Sequence, residues 1–312
     1  MPLYLRLPSG PEAPSEPGRN PQYLNLVGRK STALHRKLRR VGLAGWEPAT
    51  QAALLTLCEA MPQITFYDVG SHIGIYSAMV SALYANRNPA VFAFEPTPQT
   101  AKMARGIIKR NRLNIDLQEI ALTSHDTLCL LYLSAKAETT NSLVKGFRES
   151  NRVLTVFGRS IDSLVESGLP PPALIKCDVA TYEGRVIKGA LKTIERHRPF
   201  LVCELHPKLD LDEFSEVLDR LREGAYSFYR ISDAKEAQGA ADMLHEVEGR
   251  DVVRRIRTGG RNWLLSPTAL TPAFFDRAKQ WKRSIDHCTA KRNIETKKGE
   301  EPPAVAKPSG RL

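Results

Sequence analysis

Long apolar runs are missing from this sequence. None reaches the roughly 18 residues that a bilayer span needs. The N-terminus, "MPLYLRLPSGPEAPSEPGRN", meets its prolines too soon for the apolar stretch of a secretory signal. Cysteine is scarce and odd in number, five in 312 residues, with no CxxC pair. Cys129, Cys177 and Cys203 lie inside strand-like runs. They read as buried thiols of a reducing compartment, not as a disulfide frame or a zinc site. The expected location is the cytoplasm. Two phosphate-cradling loops are absent as well: neither G-x-G-x-x-G nor a P-loop ending in GKS or GKT occurs.

What is present is enough apolar material for one large domain, with 42% hydrophobic residues, and a basic surface at net charge +11. Part of that charge lies outside the expected core. Residues 29–40, "RKSTALHRKLRR", hold six Lys/Arg and no acid, and the chain beyond Lys282 is again basic. Leu34, Leu38 and Val41 run a stripe through the first basic stretch, which suits an amphipathic helix lying on the core or on an anionic membrane surface. The composition divides the chain into a Pro-rich disordered segment (1–22), a basic lead-in helix (23–45), one α/β domain (46–268), and a C-terminal helix with a basic disordered tail (269–312).

Within the domain, short strand-like runs alternate with helical patterns. "ITFYDV" (64–69), "VFAFE" (91–95), "IDLQEIAL" (115–122), "LCLLYL" (128–133), "ALIKCDV" (173–179), "FLVCEL" (200–205), "YSFYRI" (226–231) and "NWLLS" (262–266) read as strands. Helices are expected from about Gly74 to Ala85, through "PQTAKMARGIIKRN", from Glu183 to about His197, and from Leu211 to about Glu223. This alternation predicts a doubly wound, mostly parallel sheet covered on both faces. No helix of ordinary length joins the last two strands, so the final strand can enter antiparallel.

"DVGSHIGIYS" (68–77) marks the ligand end of that sheet, where the first strand turns into a helix. Gly70 permits a sharp turn, and Gly74 opens the helix without a side chain. Asp68 places a carboxylate at the start of the loop, which suits an ammonium group and not a pyrophosphate. Glu95 ends the next strand, where a doubly wound fold grips ribose hydroxyls, and a carboxylate accepts from both hydroxyls of a vicinal diol. Asp68, the glycines and Glu95 together describe S-adenosylmethionine better than a nicotinamide dinucleotide.

At this point the sequence resembles the FkbM-type methyltransferases, a family of class I, S-adenosylmethionine-dependent enzymes. The pieces that match are "WEPATQAALLTL" (46–57), "FYDVGSHIGIYS" (66–77), "VFAFEPTPQT" (91–100), "NSL" (141–143), "IDSLV" (161–165), "IKCDVATYEGRVIKGA" (175–190) and "RPFLVCELH" (198–206), in family order. The resemblance implies a seven-stranded, Rossmann-like sheet with its last strand antiparallel, and O-methylation of sugar or natural-product hydroxyls. Cofactor binding is then expected at Asp68, Gly70, Ser71, His72, Gly74, Ser77, Glu95, Pro96, Ala121 and Asp178. The family usually reads Asp-Val-Glu-Gly-x-Glu after its fourth strand. Here the run is Asp178, Val179, Ala180, Thr181, Tyr182, Glu183, without the middle acid and the glycine.

Asp178, Glu183 and His206 are the candidate catalytic groups, because an alcohol must lose a proton as it is methylated. Asp178 sits at a strand end, Glu183 one turn further on, and His206 just past "FLVCEL". No His/Cys spacing indicates a metal. The expected acceptor is a small molecule or glycan, with an anionic or membrane-surface contact through 29–40. The basic charge also leaves a nucleic-acid methyltransferase as an alternative, although "LPPPAL" (169–174) is not a Pro-Pro-aromatic motif. A second alternative is a cofactor-binding protein whose catalysis has decayed at Ala180 and Thr181.

Overall fold

The structure, a computed structural model, describes residues 3–10, 22–26, 32–233, 243–259, 261–292 and 294–295. It corrects the sequence reading at once, because the N-terminus is not loose throughout. Leu3, Leu5 and Leu7 alternate along the chain and are buried, and Leu3–Arg6 forms strand β1. β1 pairs antiparallel with β2 (Tyr23–Leu26) and with Ile294–Glu295, part of the tail expected to be disordered. The flanking prolines mask a period-two apolar pattern that only a strand can bury on one face. The rest of those two segments, 11–21 and 296–312, lies outside the described residues.

The lead-in helix, α1 (Ala33–Val41), is shorter than 23–45. Thr32 caps it by accepting from the His35 N–H. Leu34 and Leu38 pack into the protein core, and Arg36, Lys37, Arg39 and Arg40 stand outside. The apolar stripe is therefore occupied by protein, leaving only the charged face of α1 to meet an anionic surface. Arg29 and Lys30 lie outside the described residues.

The domain proper then alternates helix and strand. α2 (Pro48–Ala60) leads to β3 (Thr65–Val69), α3 (Ile75–Leu83), β4 (Ala90–Phe94), α4 (Pro98–Asn111) and β5 (Asp116–Gln118). Three strands follow, β6 (Ala121–Leu122), β7 (Thr127–Ser134) and β8 (Ser150–Arg159), then α5 (Ile161–Glu166) and β9 (Leu174–Cys177). The second half holds α6 (Glu183–Lys188), α7 (Leu191–His197), β10 (Phe200–Glu204), α8 (Leu211–Glu223) and β11 (Ser227–Ile231). β12 (Leu244–Val247), α9 (Val252–Arg257), β13 (Asn262–Ser266), α10 (Pro272–Asp286) and β14 (Ile294–Glu295) complete it.

The main sheet has the order β12-β11-β13-β10-β9-β3-β4-β5. β5, β4, β3, β9 and β10 are parallel, and β13 enters antiparallel between β10 and β11, as expected. The sheet has eight strands, one more than expected, because the excursion after Asp233 adds β12 antiparallel to the edge of β11. Both faces are covered, and alternate strand residues divide between two cores. Phe66, Val202 and Leu264 face one; Tyr67, Val69, Leu201, Cys203, Trp263 and Leu265 face the other. This explains the nearly continuous apolar runs.

Two expected elements split. "IDLQEIAL" divides into β5, in the main sheet, and β6, in a small sheet of order β6-β8-β7. The helix expected over 183–197 breaks at Gly189, where a Cβ would lie 2.1 Å from the Thr123 carbonyl oxygen. The chain leaves β3 toward β4 on one side and returns at β9 on the other. A ligand crevice belongs at such a switch point, beyond the strands' carboxyl ends.

Candidate active site

A cavity of about 400 Å³ opens there, closed over by β6, β7 and the segment from Glu138 to Arg148. β3 delivers Asp68, which is buried and lines the cavity. One of its oxygens accepts from the Ser77 backbone N–H at 3.0 Å and from the Ser77 hydroxyl at 2.6 Å. Burial raises the Asp68 pKa, against the opposing pull of Lys176 and Ser77. Ser77 thus holds the carboxylate from behind and does not itself line the cavity, so its expected part in ligand contact becomes one of positioning. Gly74 caps α3 at φ +75° and also lies outside the lining.

Gly70 is required by its surroundings. Its φ is +74°, and a Cβ there would fall 2.0 Å from the Asp178 carbonyl oxygen. The loop from the first strand therefore rests directly on the backbone of the fourth parallel strand's exit. The Gly70 and Ser71 N–H groups both donate to the Phe94 carbonyl at 3.0 Å. Glu95, at the end of β4, completes the turn. Its two oxygens accept from the His72 N–H at 2.9 Å and the Thr97 N–H at 2.7 Å. Pro96 and Ala121 line the same wall. The Ser71 hydroxyl and both His72 ring nitrogens are buried there without a hydrogen-bond partner among the described residues. Glu138 lies 3.8 Å from the His72 Nε2. Burial lowers the His72 pKa, so the ring is neutral and shapes the wall.

Asp178 follows β9 and lines the cavity. Burial pushes its pKa up, but the Lys176 ammonium, 3.0 Å away, outweighs that and holds the carboxyl below its ordinary value. Glu204, at the end of β10, behaves in the opposite way. The Asp178 charge, then burial, pushes it up to about 9, so it stays protonated and shares a hydrogen bond with Asp178. The two carboxyls thus share one proton and one negative charge, with the charge favoured on Asp178 beside Lys176.

The other two expected catalytic residues differ from Asp178. Glu183 is fully buried and does not line the cavity. One of its oxygens accepts from the Val179 N–H at 2.8 Å, so it braces the loop that carries Asp178. Burial pushes its carboxyl up to about 8. His206 does line the cavity, but its Nδ1 already accepts from the Lys208 N–H at 3.0 Å. The neutral ring then carries its proton on Nε2 and offers a donor, not a base. Burial, followed by Arg261, Arg148 and Lys208, lowers its pKa.

Sequence reasoning passed over four residues of the site, Lys176, Glu47, Tyr76 and Trp46. Lys176 is buried in mid-strand, pairs with Asp178, and lies 4.7 Å from the Tyr76 ring centroid. Glu47 lines the cavity in a left-handed conformation, φ +48°, and accepts from the Tyr76 hydroxyl at 2.9 Å. Tyr76 meets Trp46 with ring centroids 5.0 Å apart. The lysine inside "IKCD" was the readable signal, since an ammonium in a buried strand requires acids around it.

The strand order, the switch-point cavity and the acid-bearing first loop define a class I methyltransferase fold. The model of the methyltransferase FkbM domain matches residues 68–228, just over half of the chain, and the protein belongs to that family. Among solved structures, a methyltransferase FkbM from Methylobacillus flagellatus KT is 15% identical, with a TM-score of 0.41. The match covers 65% of this chain and 44% of that one, so this chain spans less than half of that relative. The plantazolicin methyltransferase BpumL, solved with SAH, is 9% identical over 74% of this chain and 86% of that one, at a TM-score of 0.37. An O-methyltransferase from Bacillus cereus, also solved with SAH, is 8% identical over 77% and 83%, at 0.34. A comparison with curated proteins returned no match.

Proposed function

We propose that the protein is an S-adenosylmethionine-dependent O-methyltransferase acting on a hydroxyl of a sugar, a glycolipid or another small natural product. The observation that carries this reading is Asp178, an ionised carboxylate in the same cavity as Asp68 and Glu95. The orphaned Ser71 hydroxyl and His72 nitrogens beside them fit a polar ligand of the cofactor's kind. Glu95 would hold the ribose diol with lone pairs not used by the backbone, and Asp68 the ammonium group. When bound, the cofactor supplies an electrophilic methyl group on a sulfonium.

Asp178 orients the acceptor hydroxyl through a hydrogen bond and takes its proton as the oxygen becomes alkylated. Lys176 and protonated Glu204 keep that carboxylate ionised and fixed in place. Because the displacement is in line, holding the hydroxyl in one orientation is the larger part of the task. His206 can add a donor at the same wall.

The test is label transfer from S-adenosylmethionine to a panel of sugars, glycolipids and hydroxylated metabolites. At saturating cofactor, Asp178→Asn should lose transfer by about 10²- to 10⁴-fold. Transfer only to RNA or DNA would overturn the acceptor class, and undiminished transfer by Asp178→Asn would overturn the base.

A further inference from the structure

The cavity has an acidic floor but a basic rim. Lys37 comes from α1, Arg148 from the loop before β8, and Arg261 from the residue before β13, and all three line the opening. Three separate elements bring cations to the lining of one cavity. Neither Lys37 nor Arg148 has an ion-pair partner among the described residues; Arg148 lies instead over the Phe147 ring, 4.9 Å from its centroid. Arg261 has Glu204 at 3.6 Å from one terminal nitrogen, and the rest of its exposed fork stays open to the cavity. Glu138, the acid at the same rim, accepts from the Ala33 N–H and lies beside His72.

Arg148 and Arg261 converge on His206. Phe147 meets its ring edge-on, with centroids 5.5 Å apart and planes at 86°, which sets Arg148 beside the imidazole. Arg261 and Lys208 approach it as well, and the three charges act with burial to keep the ring neutral. Like charges gathered around one opening repel each other unless an anion enters. Two guanidinium forks match phosphate oxygens in bidentate fashion. A single carboxylate would leave most of that charge unanswered.

We infer that the acceptor is a phosphate ester, with its dianionic phosphate held at the rim by Arg148 and Arg261 and its hydroxyl presented to Asp178. This rests on the methyl-transfer reading above. The phosphate can belong to a soluble sugar phosphate or to a lipid headgroup, and the chemistry of recognition is shared.

The experiment is calorimetry on the full chain, first with S-adenosylhomocysteine and then, on the saturated complex, with inorganic phosphate, glucose 6-phosphate and glucose. Vesicles of phosphatidylcholine, with and without phosphatidic acid, form a parallel arm. The expected result is binding of the phosphate-bearing probes and not of glucose. Arg148→Gln and Arg261→Gln should each weaken that binding about tenfold or more, with S-adenosylhomocysteine affinity unchanged. Response to glucose 6-phosphate alone assigns a soluble ester; response confined to phosphatidic acid vesicles and lost in the same variants assigns a lipid. If S-adenosylhomocysteine binds but no phosphate probe does, or if the variants bind phosphate as the wild type does, the inference falls and the methyl-transfer reading stands. If S-adenosylhomocysteine itself does not bind, the underlying reading falls.

Discussion

Thr181 and Glu183 show how the loop behind Asp178 is held. Ala180 and Thr181 have φ of +54° and +78°, a region that disfavours β-branched side chains. The family resemblance puts glycine at the Thr181 position, so the backbone shape persists although the residue suited to it is gone. Thr181→Gly should therefore raise unfolding free energy by about 1 kcal/mol, read by denaturant titration; a fall would show that the hydroxyl makes an offsetting contact. Glu183 titrates in a way that stability can report. Burial pushes its folded pKa up to about 8, well above the ordinary carboxyl range. Its contribution is fully present below the unfolded pKa and is lost as pH rises through the folded one. At pH 7 the buried proton costs about 3 kcal/mol relative to an ionised unfolded chain. Glu183→Gln keeps an acceptor for the Val179 N–H, so the variant should flatten the decline in melting temperature between about pH 5 and 8. An unchanged slope would contradict the assignment.

At the scale of elements, β1 departs furthest from the sequence reading. Leu5 is completely buried within the larger core, although its segment is rich in proline and polar residues. Leu5→Ala should cost about 2–5 kcal/mol, as for other buried leucines; a loss below about 0.5 kcal/mol in denaturant titration would mean that the strand does not contribute to the fold in solution. The parallel strands were legible because both faces are buried and the runs are apolar throughout. β1 was not, since its partners lie far away in sequence, at Tyr23–Leu26 and Ile294–Glu295. Gly189 was similarly opaque, because the helix it interrupts meets the carbonyl of Thr123 only in the folded chain. Local pattern carries no record of such contacts.

For the whole molecule, the alternation of strands and helices determines where the site lies, since the switch point between β3 and β9 follows from chain order. Asp68, Glu95 and Asp178 were readable for that reason: each ends a strand at the same edge. Lys176 and Glu47 were harder to read, since their roles depend on neighbours from other elements. The same distinction separates Asp178, open to the cavity, from Glu183, sealed behind it. The proposed function depends first on Asp68 and Glu95 holding S-adenosylmethionine. The most direct measurement is calorimetric titration of the wild type and Glu95→Gln with S-adenosylhomocysteine, at matched melting temperature. The wild type should bind, and the variant should bind about tenfold or more weakly, from loss of a charge-assisted contact. Absence of binding by the wild type, or equal affinity in the two proteins, would contradict it.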